Sequence, residues 1–307
     1  MIKKTTYLLL LTIGLSVFTD ANAQRKRIRY ALDYGFGLGL SNYLGEMGGK
    51  DKTRRDFIWD MKMAETRWCM GGFIRYKFND WVAAHASINY GRIEGNDALS
   101  TNRGRRGRNL QFRNDMLEFT VRGDIYVYNV NDVGHTGRYR LDFRSYVFAG
   151  IGGVLHGPKT TYNGEWVKLR PLQTEGVSYG KVTGAIPYGL GFYFTQKKKY
   201  RFGFEMGWRL TFTDYLDDVS GVYADPANLG SQASIDLANR YIGGSDVPAM
   251  QNYLPGEKRG DPSHNDTYFF MMFTYSYVLK GRNTFYTQNY GWMFGRKGKR
   301  RIVRVKF

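Results

Sequence analysis

The stretch RIRYALDYGFGLGLSN, residues 27–42, decides the fold. Its even positions from 28 to 40 are all aliphatic or aromatic, whereas its odd positions are small or charged. Unbroken alternation with a period of two predicts a β-strand, and this strand is longer than a soluble sheet needs. A soluble sheet turns its apolar face inward, but a membrane barrel turns that face outward to lipid and keeps small and polar residues inside.

The first residues of the chain predict export. Lys3 and Lys4 precede an apolar run from Leu8 to Val17, and Ala21-Asn22-Ala23 fits the small-x-small pattern of a cleavage site. We therefore expect a signal peptide at residues 1–23. The apolar run is too short for a transmembrane anchor.

The composition is typical of an exported β-barrel. The chain has 24 tyrosines, 38 glycines and only 7 prolines, and its mean hydropathy is −0.48. Polar lumen residues dilute the hydropathy of a barrel, and no later run approaches the roughly 18 apolar residues of a membrane helix. The net charge of +18 suits anionic lipid or an acidic partner, because an exported protein rarely meets nucleic acid. Cys69 is the single cysteine, so no intramolecular disulfide is expected.

Seven further stretches repeat the alternation. Strands are predicted at Thr66–Phe78, Trp81–Ile93, 117–127, Leu141–Leu155, Val182–Phe194, Arg201–Phe212 and Thr267–Leu279. The connections are alternately long and short, an asymmetry that a soluble lipocalin-like barrel does not need. We predict an all-β fold at residues 24–280: an eight-stranded antiparallel up-and-down transmembrane β-barrel in a Gram-negative outer membrane, with long extracellular loops and short periplasmic turns. Pro187 requires a bulge or a weakened ladder position in the sixth strand.

Charged residues are predicted to fill the barrel. An eight-stranded barrel is only wide enough for its own side chains, and an unpaired charge inside it carries a large desolvation penalty. The alternation turns charges of both signs inward, and we expect them to form an ion-pair network: Asp33, Arg75, Glu118, Arg122, Asp124, Arg144, Arg201, Glu205 and Arg209. The lumen is therefore expected to be plugged, which argues against a porin.

One pair of residues is compatible with hydrolysis. His85 and Ser87 form an H-x-S pair on the third strand, and some outer-membrane lipid A deacylases use His and Ser from a barrel strand. No acidic residue that would orient His85 is evident from spacing. A polar lumen pair is therefore favoured, and a lipid A-modifying hydrolase is the alternative. No histidine shows metal-ligand spacing, and we expect no catalytic residue, cofactor or metal.

Charged residues in the connections are candidate binding groups. Asp214, Asp217, Asp218 and Asp225 lack the pattern of a calcium loop, so a solvated acidic loop is favoured over an ion site. Residues 281–307 are predicted to be a basic periplasmic tail that binds a partner or a surface. Two basic groups are candidate contacts for lipopolysaccharide phosphates or a partner: Arg103, Arg105, Arg106, Arg108 and Arg113 in a loop, and Arg296, Lys297, Lys299, Arg300 and Arg301 in the tail. The loop group can equally be solvated.

Three motifs lie near the ends of predicted strands: Asn42–Glu46, Arg103–Phe112 and Tyr215–Gly221. Together they resemble motifs of one family, the PorG-like outer-membrane barrels of the Bacteroidetes type IX secretion system. Asn42–Glu46 (NYLGE) resembles the YLG(D/E) segment that follows the first strand of these barrels. Arg103–Phe112 (RGRRGRNLQF) resembles their Arg/Asn-Leu-x-Phe segment before the fourth strand. Tyr215–Gly221, with Tyr223 and Asp225, resembles their DDVS…Y.D loop after the seventh strand.

This resemblance implies a function. It indicates a non-enzymatic barrel that anchors or contacts a periplasmic ring of PorK and PorN and supports protein transport and, in some relatives, gliding motility. The expected partners are these ring proteins together with outer-membrane lipid and lipopolysaccharide, with no nucleic acid and no small-molecule substrate. The extended fourth long connection and the basic tail depart from the family pattern. An adhesin or a membrane-stabilising barrel is a further alternative.

Overall fold

The computed structural model describes residues 31–47, 63–134 and 141–279. The predicted signal peptide and basic tail lie outside these residues. No helix in the described part of the chain is both long and apolar enough to cross a membrane. The same part contains ten strands: β1 (Leu32–Leu44), β2 (Arg67–Lys77), β3 (Val82–Asn96), β4 (Gln111–Val130), β5 (Leu141–Leu155), β6 (Pro158–Tyr162), β7 (Glu165–Lys168), β8 (Val182–Gln196), β9 (Tyr200–Thr211) and β10 (Thr267–Leu279).

Eight of these strands close an antiparallel barrel. β1 to β5 pair in sequence order, β5 pairs with β8, β8 with β9 and β9 with β10, and β10 returns to β1. This closure confirms the predicted eight-stranded barrel. The remaining strands, β6 and β7, form a hairpin that extends β4, where Arg113 pairs with Lys159. That hairpin was not predicted, because strands of 5 and 4 residues show too little alternation.

β3 and β4 extend further beyond the apolar pattern than the other strands do. β3 continues to Asn96 and β4 begins at Gln111, so the ladder between them includes the pairs Arg92↔Asp115 and Glu94↔Arg113. These outward-facing positions are charged, and apolar alternation therefore ends before the hydrogen-bonded ladder does. The bounds of β5 and β10 are those predicted.

Pro187 weakens one side of its strand without bending it. On the β9 side the ladder continues through Pro187↔Arg209. On the β5 side the pairs Ala149↔Tyr188 and Gly152↔Ala185 share one register, but no pairs join the residues between them. Proline has no N–H to donate, which accounts for the interruption. The structure thus has the weakened ladder position, and not the bulge.

Large apolar side chains cover the outside of the barrel. Phe36 is 51% exposed, Val121 61% and Phe273 69%, whereas Arg75 and Asp33 on the opposite faces of their strands are buried. Aromatic residues border this apolar belt at both edges: Trp68, Tyr90 and Tyr188 at one, and Tyr34, Tyr76, Trp81, Tyr200 and Tyr277 at the other. An apolar outer belt between two aromatic girdles is the architecture of a transmembrane β-barrel of the outer-membrane type.

The connections divide the barrel into two unlike ends. Short turns, such as Lys197–Lys199, link strands at one end, which corresponds to the periplasmic side. The four long connections leave the opposite, extracellular end. They contain two short helices, α1 (Arg103–Arg108) and α2 (Gln232–Ala238), as well as the β6–β7 hairpin.

An arginine on the outer belt tests whether this face meets lipid. We expect Val121→Arg to lower the free energy of unfolding by about 2–4 kcal/mol in phosphatidylcholine vesicles, because β4 carries it near the middle of the belt. Met250→Arg is the matched control, since Met250 is 55% exposed in an extracellular connection. Urea titration of the refolded protein measures both changes, and equal small effects for the two variants would contradict the lipid-facing orientation.

Candidate functional site: a plugged lumen and an extracellular cap

Two arginines and two carboxylates form the central layer of the lumen. The Nε of Arg75 lies 3.2 Å from Asp124 Oδ2, and its Nη2 lies 3.2 Å from Glu205 Oε1. The Nε of Arg122 lies 3.1 Å from Asp124 Oδ1, and its Nη2 lies 2.8 Å from Glu205 Oε1. Each guanidinium therefore contacts both carboxylates, and the layer has no net charge. Tyr146 also donates a hydrogen bond to Glu205.

A further ion pair lies on each side of this layer. Toward the extracellular end, Arg209 Nε lies 3.1 Å from Glu118 Oε2, which also accepts a hydrogen bond from Tyr268. Toward the periplasmic end, Arg201 pairs with Asp33. The structure thus joins eight of the nine predicted lumen residues into three neutral groups.

Arg144 is the ninth predicted residue, and it lies apart. Its Nη1 donates to Asn129 Oδ1 at 3.0 Å, and its Nη2 lies 3.9 Å from Asp80 Oδ1, a mostly exposed carboxylate. β5 carries Arg144 near its periplasmic start, so this side chain lies at the rim, where water screens its charge.

His85 belongs to the central layer. Its Nδ1 lies 2.8 Å from Arg122 Nη2 and 3.5 Å from Asp124 Oδ2, an acidic neighbour that sequence spacing did not reveal. Because Arg122 donates to Nδ1, that nitrogen is occupied as an acceptor. Ser87 Oγ instead lies 2.7 Å from Thr120 Oγ1. Within the described residues no hydrogen bond joins His85 to Ser87, so this geometry does not support the hydrolase alternative.

Removing one lumen charge tests the pairing. We expect Glu205→Gln to lower the free energy of unfolding by about 3–5 kcal/mol, because it leaves one excess positive charge in the buried central layer. Glu257→Gln makes the same chemical change on an exposed extracellular residue and should have no measurable effect. Urea unfolding in vesicles compares the variants, and an unchanged Glu205→Gln protein would show that the lumen is solvated.

The three motifs that resemble the PorG-like family meet at the extracellular end of the barrel. The hydroxyl of Tyr43, in the first motif, lies 2.7 Å from Asp217 Oδ2, in the third, and 2.5 Å from Asp266 Oδ1. Phe112, in the second motif, packs edge-on against the Tyr43 ring at 4.9 Å between centroids. Segments far apart in the sequence therefore share one buried contact, which we term the Tyr43 junction.

Ion pairs and hydrogen bonds join the long connections to one another around this junction. Arg108 of α1 pairs with Asp97 at 2.7 Å and donates a second hydrogen bond to the carbonyl of Arg259. Arg259 pairs at 2.8 Å with Glu175, whose carboxylate also accepts from the backbone N–H of Ser220 at 3.0 Å. Three of the four long connections are thus joined into a single structure over the lumen, which we term the cap.

Three of the four acidic residues expected in a solvated loop are buried, namely Asp214, Asp217 and Asp218, whereas Asp225 is exposed as expected. Asp217 is 1% exposed and Asp218 is 2% exposed. Asp218 accepts hydrogen bonds of 2.5 Å from both Thr174 and Tyr179, which lie in the connection between β5 and β8. Donors from another connection thus replace water, an arrangement that sequence spacing could not show. No group of three or more potential metal ligands is present among the described residues.

The five predicted loop arginines have different environments. Arg108 is buried in the cap, whereas Arg103 is exposed and Arg105 and Arg106 are half-buried in the same helix. Arg113 stacks over the ring of Trp166 at 5.0 Å and lies within 3.8 Å of Glu94. Their contact with lipopolysaccharide stays a prediction, and the basic tail residues Arg296, Lys297, Lys299, Arg300 and Arg301 lie outside the described residues.

The Tyr43 junction holds an extra proton. Tyr43 has one hydroxyl proton but lies within hydrogen-bond distance of two carboxyl oxygens, so the second contact needs a proton on Asp217 or Asp266. Burial raises the pKa of Asp217 to about 7 and holds the pKa of Asp266 well above its ordinary value, and repulsion between the two carboxyls adds to the latter. The cap is therefore assembled with at least one neutral carboxyl group.

The pH dependence of the cap follows from this proton. The pKa of Asp217 is about 7 in the folded cap against about 3.9 in an unfolded chain, so the stabilisation is complete below pH 4 and is lost as the pH rises through about 7. We expect protease resistance of the cap to fall between these values, by up to about tenfold per pH unit. Asp217→Asn should weaken that dependence, because its amide stays neutral and can donate to Tyr43, and the raised pKa of Asp266 should maintain the remainder.

Asp246→Asn serves as the control, since Asp246 is exposed in the same connection. Limited proteolysis of the folded barrel from pH 4 to pH 8 separates the variants. If the resistance of the wild-type cap to proteolysis rose with pH, this result would contradict a protonated junction.

Comparison with known proteins adds the following findings. Residues 6–229 match the family described as Domain of unknown function (DUF6089). No curated protein matches the chain. Similar solved structures include Ail of Yersinia pestis in complex with the heparin analogue sucrose octasulfate, with 10% identity over 81% of this chain and 99% of Ail, at a TM-score of 0.35.

Two barrels of Pseudomonas aeruginosa are similar to the same extent. OprG shares 11% identity over 82% of this chain and 98% of its own, at a TM-score of 0.37. The N-terminal barrel domain of OprF shares 8% identity over 82% and 98%, at a TM-score of 0.35. Values this low carry no information about function.

Proposed function

We propose that this chain, which belongs to the DUF6089 family, is a non-enzymatic outer-membrane component of the type IX secretion machinery. In this role the barrel anchors or contacts a periplasmic ring of PorK/PorN-like proteins and so supports protein transport and gliding motility. The observation that carries the proposal is the Tyr43 junction, where the three motifs that resemble PorG-like barrels touch one another.

The junction joins motif residues that are far apart in the sequence. Tyr43 and Asp217 are 174 residues apart, and Phe112 lies in a third segment. The up-and-down topology brings these three segments to the same end of the barrel, and the junction adds a buried contact between specific motif residues. This contact supports the proposal because it joins the three motifs in one three-dimensional feature, the cap at the extracellular end.

The lumen supports a scaffold and not a conduit. Three neutral groups of ion pairs follow one another along the axis, and Arg75 at their centre is only 2% exposed. Opening a path would separate buried charges, at a cost of several kcal/mol for each pair broken. A barrel built in this way serves transport by holding other components at the membrane.

The periplasmic end offers charge to an acidic partner. The turn between β8 and β9 carries three consecutive lysines, Lys197, Lys198 and Lys199. The basic tail, residues 281–307, follows β10, whose C-terminal end lies on the same side because Tyr200 pairs with Tyr277. Opposite charges steer association and set its specificity, so we assign the ring contact to this end.

Co-purification after mild detergent extraction tests the assignment. We expect the full chain to recover PorK/PorN-like ring proteins, and a chain that ends at Lys280 to lose most of them. Lys197→Gln/Lys198→Gln/Lys199→Gln should weaken recovery and make it more sensitive to salt, because these charges contribute to long-range attraction. Lys258→Gln, on an exposed extracellular lysine, is the control. Recovery of the full chain without any ring protein would overturn the proposal.

A further inference from the structure

A cavity of about 320 Å³ lies on the outer wall of the barrel, separate from the lumen and the Tyr43 junction. It is situated where β4 and β5 leave the apolar belt and the β6–β7 hairpin begins. The apolar part of its lining includes Leu117 and Leu155, which pair with each other across the two strands, and its polar part includes Lys159, Lys168, Arg170 and Lys181.

The cavity spans the boundary between hydrocarbon and head groups. Outward-facing residues change from apolar to charged at the same level on neighbouring strands, where Tyr90↔Leu117 is followed by Arg92↔Asp115. Arg92 Nε lies 2.6 Å from Asp115 Oδ1, and the Tyr90 hydroxyl donates to the same carboxylate at 3.0 Å. Tyrosine at such a boundary is typical of the interface of a membrane barrel.

The polar part of the cavity has an excess of positive charge. Asp115 is the one acidic residue in its lining, and Arg92 and Lys159 already contact this carboxylate, the latter at 3.5 Å. In contrast, the side chains of Lys168, Arg170 and Lys181 have no ion-pair partner among residues 31–47, 63–134 and 141–279. Three cations without an ion-pair partner in the described part of the chain, arranged around a concave surface, fit an anionic group.

The lining also includes a buried histidine. His156 is 6% exposed and stacks on Tyr179 with an angle of 8° between the rings, yet its Nδ1 has no hydrogen bond within the described part of the chain. Burial, with a contribution from the Arg170 charge, lowers the pKa of His156 to about 4, so the imidazole is neutral. The imidazole therefore forms a neutral part of the cavity wall and adds no charge to it.

We propose that this cavity binds the phosphorylated sugar of an outer-leaflet glycolipid. The phosphate lies between Lys168, Arg170 and Lys181, and the acyl chains run down the wall over Leu117 and Leu155. The volume is at the lower end of the range of about 300–1,000 Å³ for ligand sites, which suits one sugar phosphate and not a whole lipid. This site differs from the α1 arginines, and it does not depend on the role in secretion.

Lipid exchange with a defined glycolipid tests the proposal. The full chain is placed in phosphatidylcholine nanodiscs with lipid A that carries its phosphates or with lipid A from which they have been removed. Native mass spectrometry then measures how much glycolipid each barrel retains. We expect retention of the phosphorylated form only, and Lys168→Gln/Arg170→Gln/Lys181→Gln should weaken it by roughly 100-fold, since three cations near an anionic surface are lost.

Two controls keep the test specific. Lys258→Gln and Arg103→Gln each remove an exposed extracellular charge away from the cavity and should leave glycolipid retention unchanged. The electrophoretic mobility of unheated samples verifies that each barrel is folded. Equal retention by the triple variant, or of lipid A without phosphates, would overturn the proposal. Binding of inorganic phosphate as tight as that of lipid A would assign the site to a free anion, and loss with Arg103→Gln alone would move it to α1.

Discussion

Charge pairing inside the barrel is the interaction on which the rest of the structure depends. An eight-stranded barrel with its apolar residues outside must fill its interior with the remaining side chains, and these include four arginines and four carboxylates in three neutral groups. The desolvation cost of burying each arginine is offset by a carboxylate within contact distance, and the cost of burying each carboxylate is offset by its arginine. The outward belt and the inward pairs are therefore two consequences of one alternating pattern.

A filled interior leaves the ends and the outer wall as the places where this protein can bind. At the extracellular end, the cap is held by the Tyr43 junction and by the chain of contacts from Asp97 through Arg108 and Arg259 to Glu175. On the outer wall, the N-terminal extension of β4 crosses the boundary between lipid and water. The same extension contributes residues to the cap and to one side of the basic cavity. In the described part of the chain the periplasmic end consists of short turns, such as the lysine turn between β8 and β9.

The sequence predicted those features of the fold that follow from the two-residue alternation of apolar with small or charged residues. Strand number, strand faces and the inward position of the charged residues all follow from alternation, and the bounds of β5 and β10 were correct. Alternation does not encode partners, so the contact of Arg75 with Glu205, 130 residues away, could not be read from it. The burial of Asp217 and Asp218 was missed for the same reason, because their donors come from other segments. The β6–β7 hairpin was missed because its two strands are short. The start of β4 was missed because its outward-facing residues are charged and form no apolar face.

Accessibility of nitroxide labels along β4 tests the inverted alternation most directly. Four variants of the protein, refolded into vesicles, each carry one label, at Phe119, Thr120, Val121 or Ile125. Cys69 is replaced by serine so that each label has a unique thiol. The account predicts that relaxation by dissolved oxygen, which concentrates in lipid, is strong at the three outward positions and weak at residue 120. Strong relaxation at residue 120 together with protected labels at 119, 121 and 125 would contradict it.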